Sequence, residues 1–303
     1  INMKFIDSYL GVSMNNLPEI LIVFVLGLLQ GLTEFLPVSS SGHLVLMQHF
    51  MGMKEPQLFL DIMVHVGTLG AICLVYYRII WKITEGCVRT LCSLRSPTTS
   101  SYGDRKFYRS PLQEFSKNAE LRFVWFIILG NIPAGIIGVL LKDSIESAFA
   151  SPTIVACMLI VTGLLLQLSR VAKKNPTPRQ ALNSWDAIRI GIAQAIAIMP
   201  GISRSGSTIS IGLATGVSPQ TAAQYSFLLS VPAILGASVL ELKDIHEVSL
   251  APISIIIGTL TAFIVGYIVL RGLLATLNRG RFVVFSYYCF GLGGLVLLIK
   301  IVL

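Results

Sequence analysis

Residues 27–43 read GLLQGLTEFLPVSSSGH, and residues 199–208 read MPGISRSGST. Each is a polar break set into apolar sequence. The first follows the apolar run 19–36 and leads into a short apolar piece, 44–53. The second follows 187–199 and leads into 209–217. Each stretch therefore predicts a helix, a polar turn and a second, shorter helix. Inside a bilayer such a break is tolerated only where protein or water lines it. Both stretches are expected to be re-entrant hairpins whose tips face a polar cavity.

The two breaks also resemble each other. Ser39-Ser40-Ser41-Gly42 aligns with Ser203-Arg204-Ser205-Gly206 at an offset of 164 residues. The same offset pairs Gly27 with Gly191, Gln30 with Gln194 and Gly52 with Gly216. Further on, Leu69-Gly70-Ala71 matches Leu235-Gly236-Ala237 at an offset of 166. An internal duplication accounts for these matches.

The rest of the chain fits a membrane solvent. Of 303 residues, 54% are hydrophobic and only 13% charged, and mean hydropathy is +0.76. Soluble domains carry roughly 25% charge, so an ordinary soluble enzyme, a disordered chain and a disulfide scaffold are excluded. Six further segments, near 58–80, 122–142, 152–170, 221–242, 252–272 and 282–302, have the length and apolarity to cross a bilayer. The predicted fold is an all-α polytopic membrane protein with six full transmembrane helices and two re-entrant helix hairpins. A β-barrel is not expected, because the apolar stretches are continuous instead of alternating.

Charge position sets the orientation. Nine of the 23 Lys/Arg lie between Arg78 and Arg122, five between Arg170 and Arg189, and three at Arg271, Arg279 and Arg281. The segments 143–169 and 244–270 carry none. This is a positive-inside distribution, not a nucleic-acid patch. The polar segment 93–119 reads as a long cytoplasmic loop, and 171–184 as a Pro-containing linker between halves. Segment 58–80 then runs inward and its counterpart 221–242 outward. The halves, 1–170 with its hairpin at 19–53 and 185–303 with its hairpin at 187–217, form an inverted repeat within one integral membrane domain. Both termini are expected on the non-cytoplasmic side. No secretory leader is expected, since the first apolar run leads into Glu34 and Pro37 without a small-residue cleavage site. The five cysteines have no metal-ligand spacing and are expected to be free thiols.

Inverted repeats with broken helices place their functional site at the repeat interface. Here that brings Gln30, Glu34, Ser39, Ser40, Ser41 and His43 against Ser203, Arg204, Ser205, Ser207 and Thr208. Ionisable groups at membrane depth are costly, and mark function. These types suit a phosphate. Arg204 offers a planar fork, and the hydroxyls and helix N-terminal amides add donors. Gly42, Gly201 and Gly206 allow close backbone approach. Gln30 and Glu34 share a helical face at i and i+4, a pair of oxygen ligands for Mg²⁺ or Ca²⁺. His43 suits a nucleophile or general acid/base, and Ser40 a nucleophile activated by His43. Each residue alone has a blander reading: Glu34 and Arg204 as a structural ion pair, the Ser-Gly clusters as close packing, His43 as a hydrogen-bonded interior histidine. His65 and Asp61, near the start of a span, read as structural or as backing the site residues from behind. Only the convergence of both breaks favours chemistry.

Residues 27–43 and 199–208 resemble the signature motifs of the undecaprenyl-diphosphate phosphatase family of the bacitracin-resistance type. Gln30 to Glu34 fits the Gln form of its Glu/Gln-x-x-x-Glu motif, and Pro200 to Thr208 its Pro-Gly-x-Ser-Arg-Ser-x-x-Thr motif. YSFLLSVPAILGA, 225–237, is also similar to the family. The resemblance implies hydrolysis of a C55 polyprenyl diphosphate to the monophosphate carrier lipid of cell-wall synthesis, in the bacterial cytoplasmic (inner) membrane, with a divalent metal, Mg²⁺ or Ca²⁺. It implies Gln30 and Glu34 as metal ligands, and His43, Ser40, Glu34 and Arg204 as catalytic residues. Ser39, Ser41, Ser203, Ser205, Gly206 and Thr208 would bind the diphosphate. One ligand is Gln30 where relatives carry Glu, which leaves one fewer negative charge on the metal. The expected partners are the lipid substrate and membrane lipid, with a homodimer left open. Inverted repeats alone also fit a polyprenyl-phosphate flippase or small-anion transporter. In a cysteine-free background, cysteines placed across 93–119 should label only from the cytoplasmic face; labelling from the opposite face would reverse the orientation.

Overall fold

The computed structural model describes residues 18–51, 53, 58–95, 119–170, 177–242, 250–276 and 282–302. Most of the loop 93–119, the first part of the linker 171–184 and Gly52 lie outside them. Among the described residues the chain is helical throughout. α1 (Glu19–Thr33) and α2 (Ser40–Phe50) flank the first break, followed by α3 (Leu58–Val75) and α4 (Tyr77–Arg95). Then come α5 (Ala119–Leu140), α6 (Lys142–Phe149) and α7 (Pro152–Gln167). α8 (Ser184–Ile196) and α9 (Arg204–Ala214) flank the second break, and α10 (Pro219–Leu242), α11 (Pro252–Thr276) and α12 (Val284–Val302) complete the fold.

Five helices, α5, α7, α10, α11 and α12, are long and apolar enough to cross a membrane, and the bent pair α3–α4 raises the number to six. Their outer faces carry Ile128, Ile132, Ile136, Leu260, Ile264 and Ile268, all exposed. Water would not tolerate so continuous an apolar surface, whereas lipid does. The molecule is a multi-pass membrane protein.

Two segments depart from the sequence expectation. The segment 58–80 is not one straight span: the chain turns by 78° after Val75. From Tyr77 onward the polar residues Arg78, Lys82, Glu85 and Arg89 recur every three or four positions opposite Ile79, Ile80, Ile83 and Cys87. A helix with that basic face cannot follow α3 into hydrocarbon, so it turns across. The short helix α6 was not anticipated either. Its Lys142, Asp143 and Glu146 form a polar turn between two apolar helices, with Lys142 paired to Glu146 at 3.6 Å.

Proline and serine chemistry shapes the breaks. Pro37 supplies no N–H and disfavours helix at Leu36. Ser39 then caps α2 by accepting the Gly42 N–H at 3.2 Å, and Ser203 caps α9 by accepting the Gly206 N–H at 3.0 Å. α8 opens with a reciprocal capping box between Asn183 and Asp186. Arg179 grips Asp186 with both guanidinium nitrogens, at 2.9 and 3.0 Å, and donates to the Thr215 carbonyl at the end of α9. The base of the second hairpin is thereby tied shut.

Corresponding positions make corresponding contacts. α1 crosses α11 where a methyl on Gly27 would run into the Gly258 carbonyl, and α8 crosses α5 where one on Gly191 would run into that of Gly130. Each hairpin thus packs on a long helix of the other half. The tips meet between them: a Cβ on Gly42 would lie 3.0 Å from the Gly201 Cα, and one on Gly206 3.2 Å from the Pro37 Cβ. Thr162 of α7 pins the second tip, accepting the Ser203 N–H at 2.9 Å and donating to the Gly201 carbonyl at 2.8 Å. Gly27→Ala or Gly191→Ala should destabilise the protein by about 1–3 kcal/mol through overpacking. Gly135→Ala, where nothing lies within 4 Å, should leave the melting temperature in detergent unchanged. Equal melting of all three would refute the close crossings.

Candidate functional site

Glu34 ends α1 with its backbone N–H still bonded to the Gln30 carbonyl, which keeps its side chain on the face that carries Gln30. It is 7% exposed, and it is the hub of the site. Arg204 Nη2 donates to one carboxylate oxygen at 2.6 Å. The other oxygen accepts from Ser40 Oγ at 2.6 Å and from Gln30 Nε2 at 3.0 Å, and His65 Nε2 lies 3.8 Å from it. Arg204 Nη1 reaches the Ser226 carbonyl at 3.3 Å. Four helices, α1, α2, α3 and α9, therefore converge on one carboxylate. A carboxylate and a guanidinium so far from water stabilise each other only through such geometry, and removing one leaves the other uncompensated.

The remaining predicted residues fall into two groups. Ser40, Ser41 and Arg204 are half-buried, as is His65. Ser203, Ser205 and Thr208 are buried and already bonded within the protein. Ser205 Oγ donates to the Leu36 carbonyl at 3.3 Å, and Thr208 Oγ to the Arg204 carbonyl at 2.8 Å while pairing with Ser226 Oγ at 2.5 Å. These three residues join the two tips and fix Arg204. Gly206 and Ser39 are buried in the caps, their places set by the backbone.

His43 is brought to the edge of this cluster but not into its hydrogen bonds. Its Nδ1 lies 2.7 Å from the Ser39 carbonyl, and its Nε2 2.7 Å from Tyr288 Oη. A carbonyl only accepts, so Nδ1 carries the proton, and in the neutral ring Nε2 accepts from the phenol. Ser39 reaches this geometry with φ +71°, a region that costs a non-glycine residue about 1–3 kcal/mol. The hydrogen bond of Ser40 runs to Glu34. The base within reach of the Ser40 hydroxyl is therefore Glu34, not His43.

His65, Thr68, Ser226 and Tyr288 were not singled out from sequence as site residues. For His65 the signal was present: an ionisable group inside an apolar helix. Thr68, 3.4 Å from Gln30 Nε2, looks like any helix threonine until α3 is placed. No trio of His, Cys, Asp or Glu able to hold a metal occurs among the described residues. Gln30 Oε1, however, is buried beside Glu34 without a hydrogen-bond partner among them.

Fold and site together define a polytopic membrane protein that gathers one guanidinium, one carboxylate and several hydroxyls at a broken-helix junction. The bacitracin resistance protein BacA family model matches residues 23–295, and the chain belongs to that family. It is 44% identical over 270 residues to an undecaprenyl-diphosphatase of Desulforapulum autotrophicum, covering 89% of this chain and 94% of that protein. It is 40% identical over 281 residues to an undecaprenyl-diphosphatase of Desulfatibacillum aliphaticivorans, covering 92% and 98%. A third, of Methanosphaera stadtmanae, is 36% identical over 285 residues, covering 94% and 99%.

If Glu34 and Arg204 compensate each other as described, Glu34→Ala should cost about 3–5 kcal/mol of stability. Adding Arg204→Ala should recover part of that loss. Additive losses in detergent unfolding would mean the two charges are not coupled.

Proposed function

We propose that this protein hydrolyses undecaprenyl diphosphate to undecaprenyl phosphate and inorganic phosphate, in the cytoplasmic membrane, and so recycles the carrier lipid of cell-wall synthesis. The observation that carries the reading is the junction of the two tips, where Arg204 and the Ser40 hydroxyl hold opposite oxygens of a buried Glu34. The names of the relatives give the substrate, and they weigh against the transporter reading.

The chemistry follows from the residues in place. Arg204, whose guanidinium carries five N–H donors and spends one on Glu34 and one on the Ser226 carbonyl, binds the oxygens of the terminal phosphate with the others and stabilises charge that grows there in the transition state. Amides at the starts of α2 and α9 add fixed positive ends. Ser40 Oγ attacks the terminal phosphorus as its proton passes to Glu34. The bond to the bridging oxygen breaks, and undecaprenyl phosphate leaves. Water, giving its proton to His43 Nε2 at the edge of the cluster, then attacks the phosphoserine; Glu34 returns its proton to Ser40 Oγ, and phosphate leaves. The unpartnered Gln30 Oε1 and the Glu34 carboxylate are the groups that would hold a divalent cation, which would neutralise phosphate charge when bound. The matched glycine crossings and paired serine caps support an inverted repeat; the Lys/Arg distribution supports both termini on the non-cytoplasmic side, and the substrate tail lies in lipid.

Detergent-purified protein, with no compartments to transport between, should release phosphate from undecaprenyl diphosphate. Arg204→Lys should lose about 100-fold or more, because a point charge does not replace the fork; full activity there would show that charge alone suffices. Glu34→Gln should lower activity and raise the Mg²⁺ concentration required. An unchanged metal titration would remove Glu34 from the ligand set.

A further inference from the structure

His43 belongs to the first half of the chain, yet its reactive nitrogen is held by the second. Tyr288, on α12, places its hydroxyl 2.7 Å from His43 Nε2. The two rings lie edge to edge in nearly parallel planes, 5.7 Å between centroids and 6° between planes. The phenol is about half exposed on its outer side, and its hydroxyl points inward. It does not float there, because α12 is fixed along its length. Ser286 accepts from Gln167 at 2.5 Å, and Phe290 and Gly293 pack closely on Gly163 and Ala156 of α7. The next residue, Cys289, is buried with its thiol 3.7 Å from the Pro37 carbonyl, in the first tip itself.

Comparison with the second tip shows what this arrangement adds. At the repeat offset His43 corresponds to Ser207, whose hydroxyl donates to the Ser203 carbonyl at 2.7 Å. His43 Nδ1 makes the matching bond to the Ser39 carbonyl at 2.7 Å. That half of the histidine's bonding is shared scaffold. The Nε2 contact has no counterpart in a serine, and it reaches the one atom of the ring with a free lone pair.

We propose that Tyr288 is the positioning residue for His43: its phenol fixes the imidazole plane and holds Nε2 as a hydrogen-bond acceptor. This rests on the phosphatase reading for its consequence, though not for its geometry. The hydroxyl donates to Nε2. A phosphate or water that uses Nε2 must share or replace that hydroxyl, so Tyr288 decides which direction the lone pair faces.

Tyr288→Phe keeps the ring and removes only the hydroxyl. Selectively ¹⁵N-histidine-labelled protein in detergent, assigned with His43→Ala, reads the contact without any turnover. The wild-type His43 should show a protonated Nδ1 and a hydrogen-bonded Nε2, and in Tyr288→Phe the Nε2 resonance should move to that of a free pyridine-type nitrogen. In phosphate release, Tyr288→Phe should lower kcat about tenfold, the worth of one hydrogen bond on a reacting group, with KM within about twofold of wild type. A wild-type His43 protonated at Nε2, an Nε2 resonance unmoved by the substitution, or an unchanged kcat would each overturn the proposal. Absence of phosphate release from the wild-type protein would instead count against the phosphatase reading and leave the resonance test standing.

Discussion

One ion pair organises the molecule. Glu34 hangs from the end of α1, Arg204 opens α9, and the 2.6 Å contact between them joins two chain breaks 170 residues apart. Neither charge is tolerable alone in an apolar surrounding. Each is therefore an anchor for the other, and both are kept in a place where an anionic group can compete for the guanidinium. Everything near the pair serves to hold it: Ser205 spans the tips, Thr208 and Ser226 back the Arg204 turn, and Thr162 fixes the loop before it.

The site is asymmetric although its frame is repeated. At the repeat offset, Ser40 corresponds to Arg204, and the two residues approach opposite oxygens of the same carboxylate. Glu34 itself corresponds to Ile198, so the acid exists once. Gln30 corresponds to Gln194, which is bonded to Asn131 instead of an acid. Two capped helix starts face each other, and the carboxylate belongs to the break beside one while the guanidinium opens the other. The serine pairs repeat closely, with Ser39–Ser41 and Ser203–Ser205 both at 3.3 Å.

Much of this was legible in the sequence because its signals are local. Pro37 and Pro200, the serines after them and the shared offset marked the breaks and their kinship. A lone Glu and a lone Arg in apolar runs marked the chemistry, and the i, i+4 spacing put Gln30 beside Glu34. What escaped depends on tertiary placement. Tyr288 lies 245 residues from His43 on an apolar helix that also carries Phe285, Tyr287 and Phe290, so nothing in its neighbourhood distinguishes it. The hydrogen bond of Ser40 to Glu34 instead of His43 follows from how α2 starts, through the unusual backbone of Ser39. The bend after Val75 was hidden because the apolar run continues into Ile79 and Ile80, and only the basic period beyond it gives the change of direction away.

The most direct measurement is an experimental structure of the protein with a methylene-bridged undecaprenyl diphosphate, which binds but does not hydrolyse. The terminal phosphonate should lie between the Arg204 guanidinium and the Ser40 hydroxyl, at the starts of α2 and α9. A headgroup bound elsewhere, touching neither residue and leaving the Glu34–Arg204 contact intact, would contradict the account.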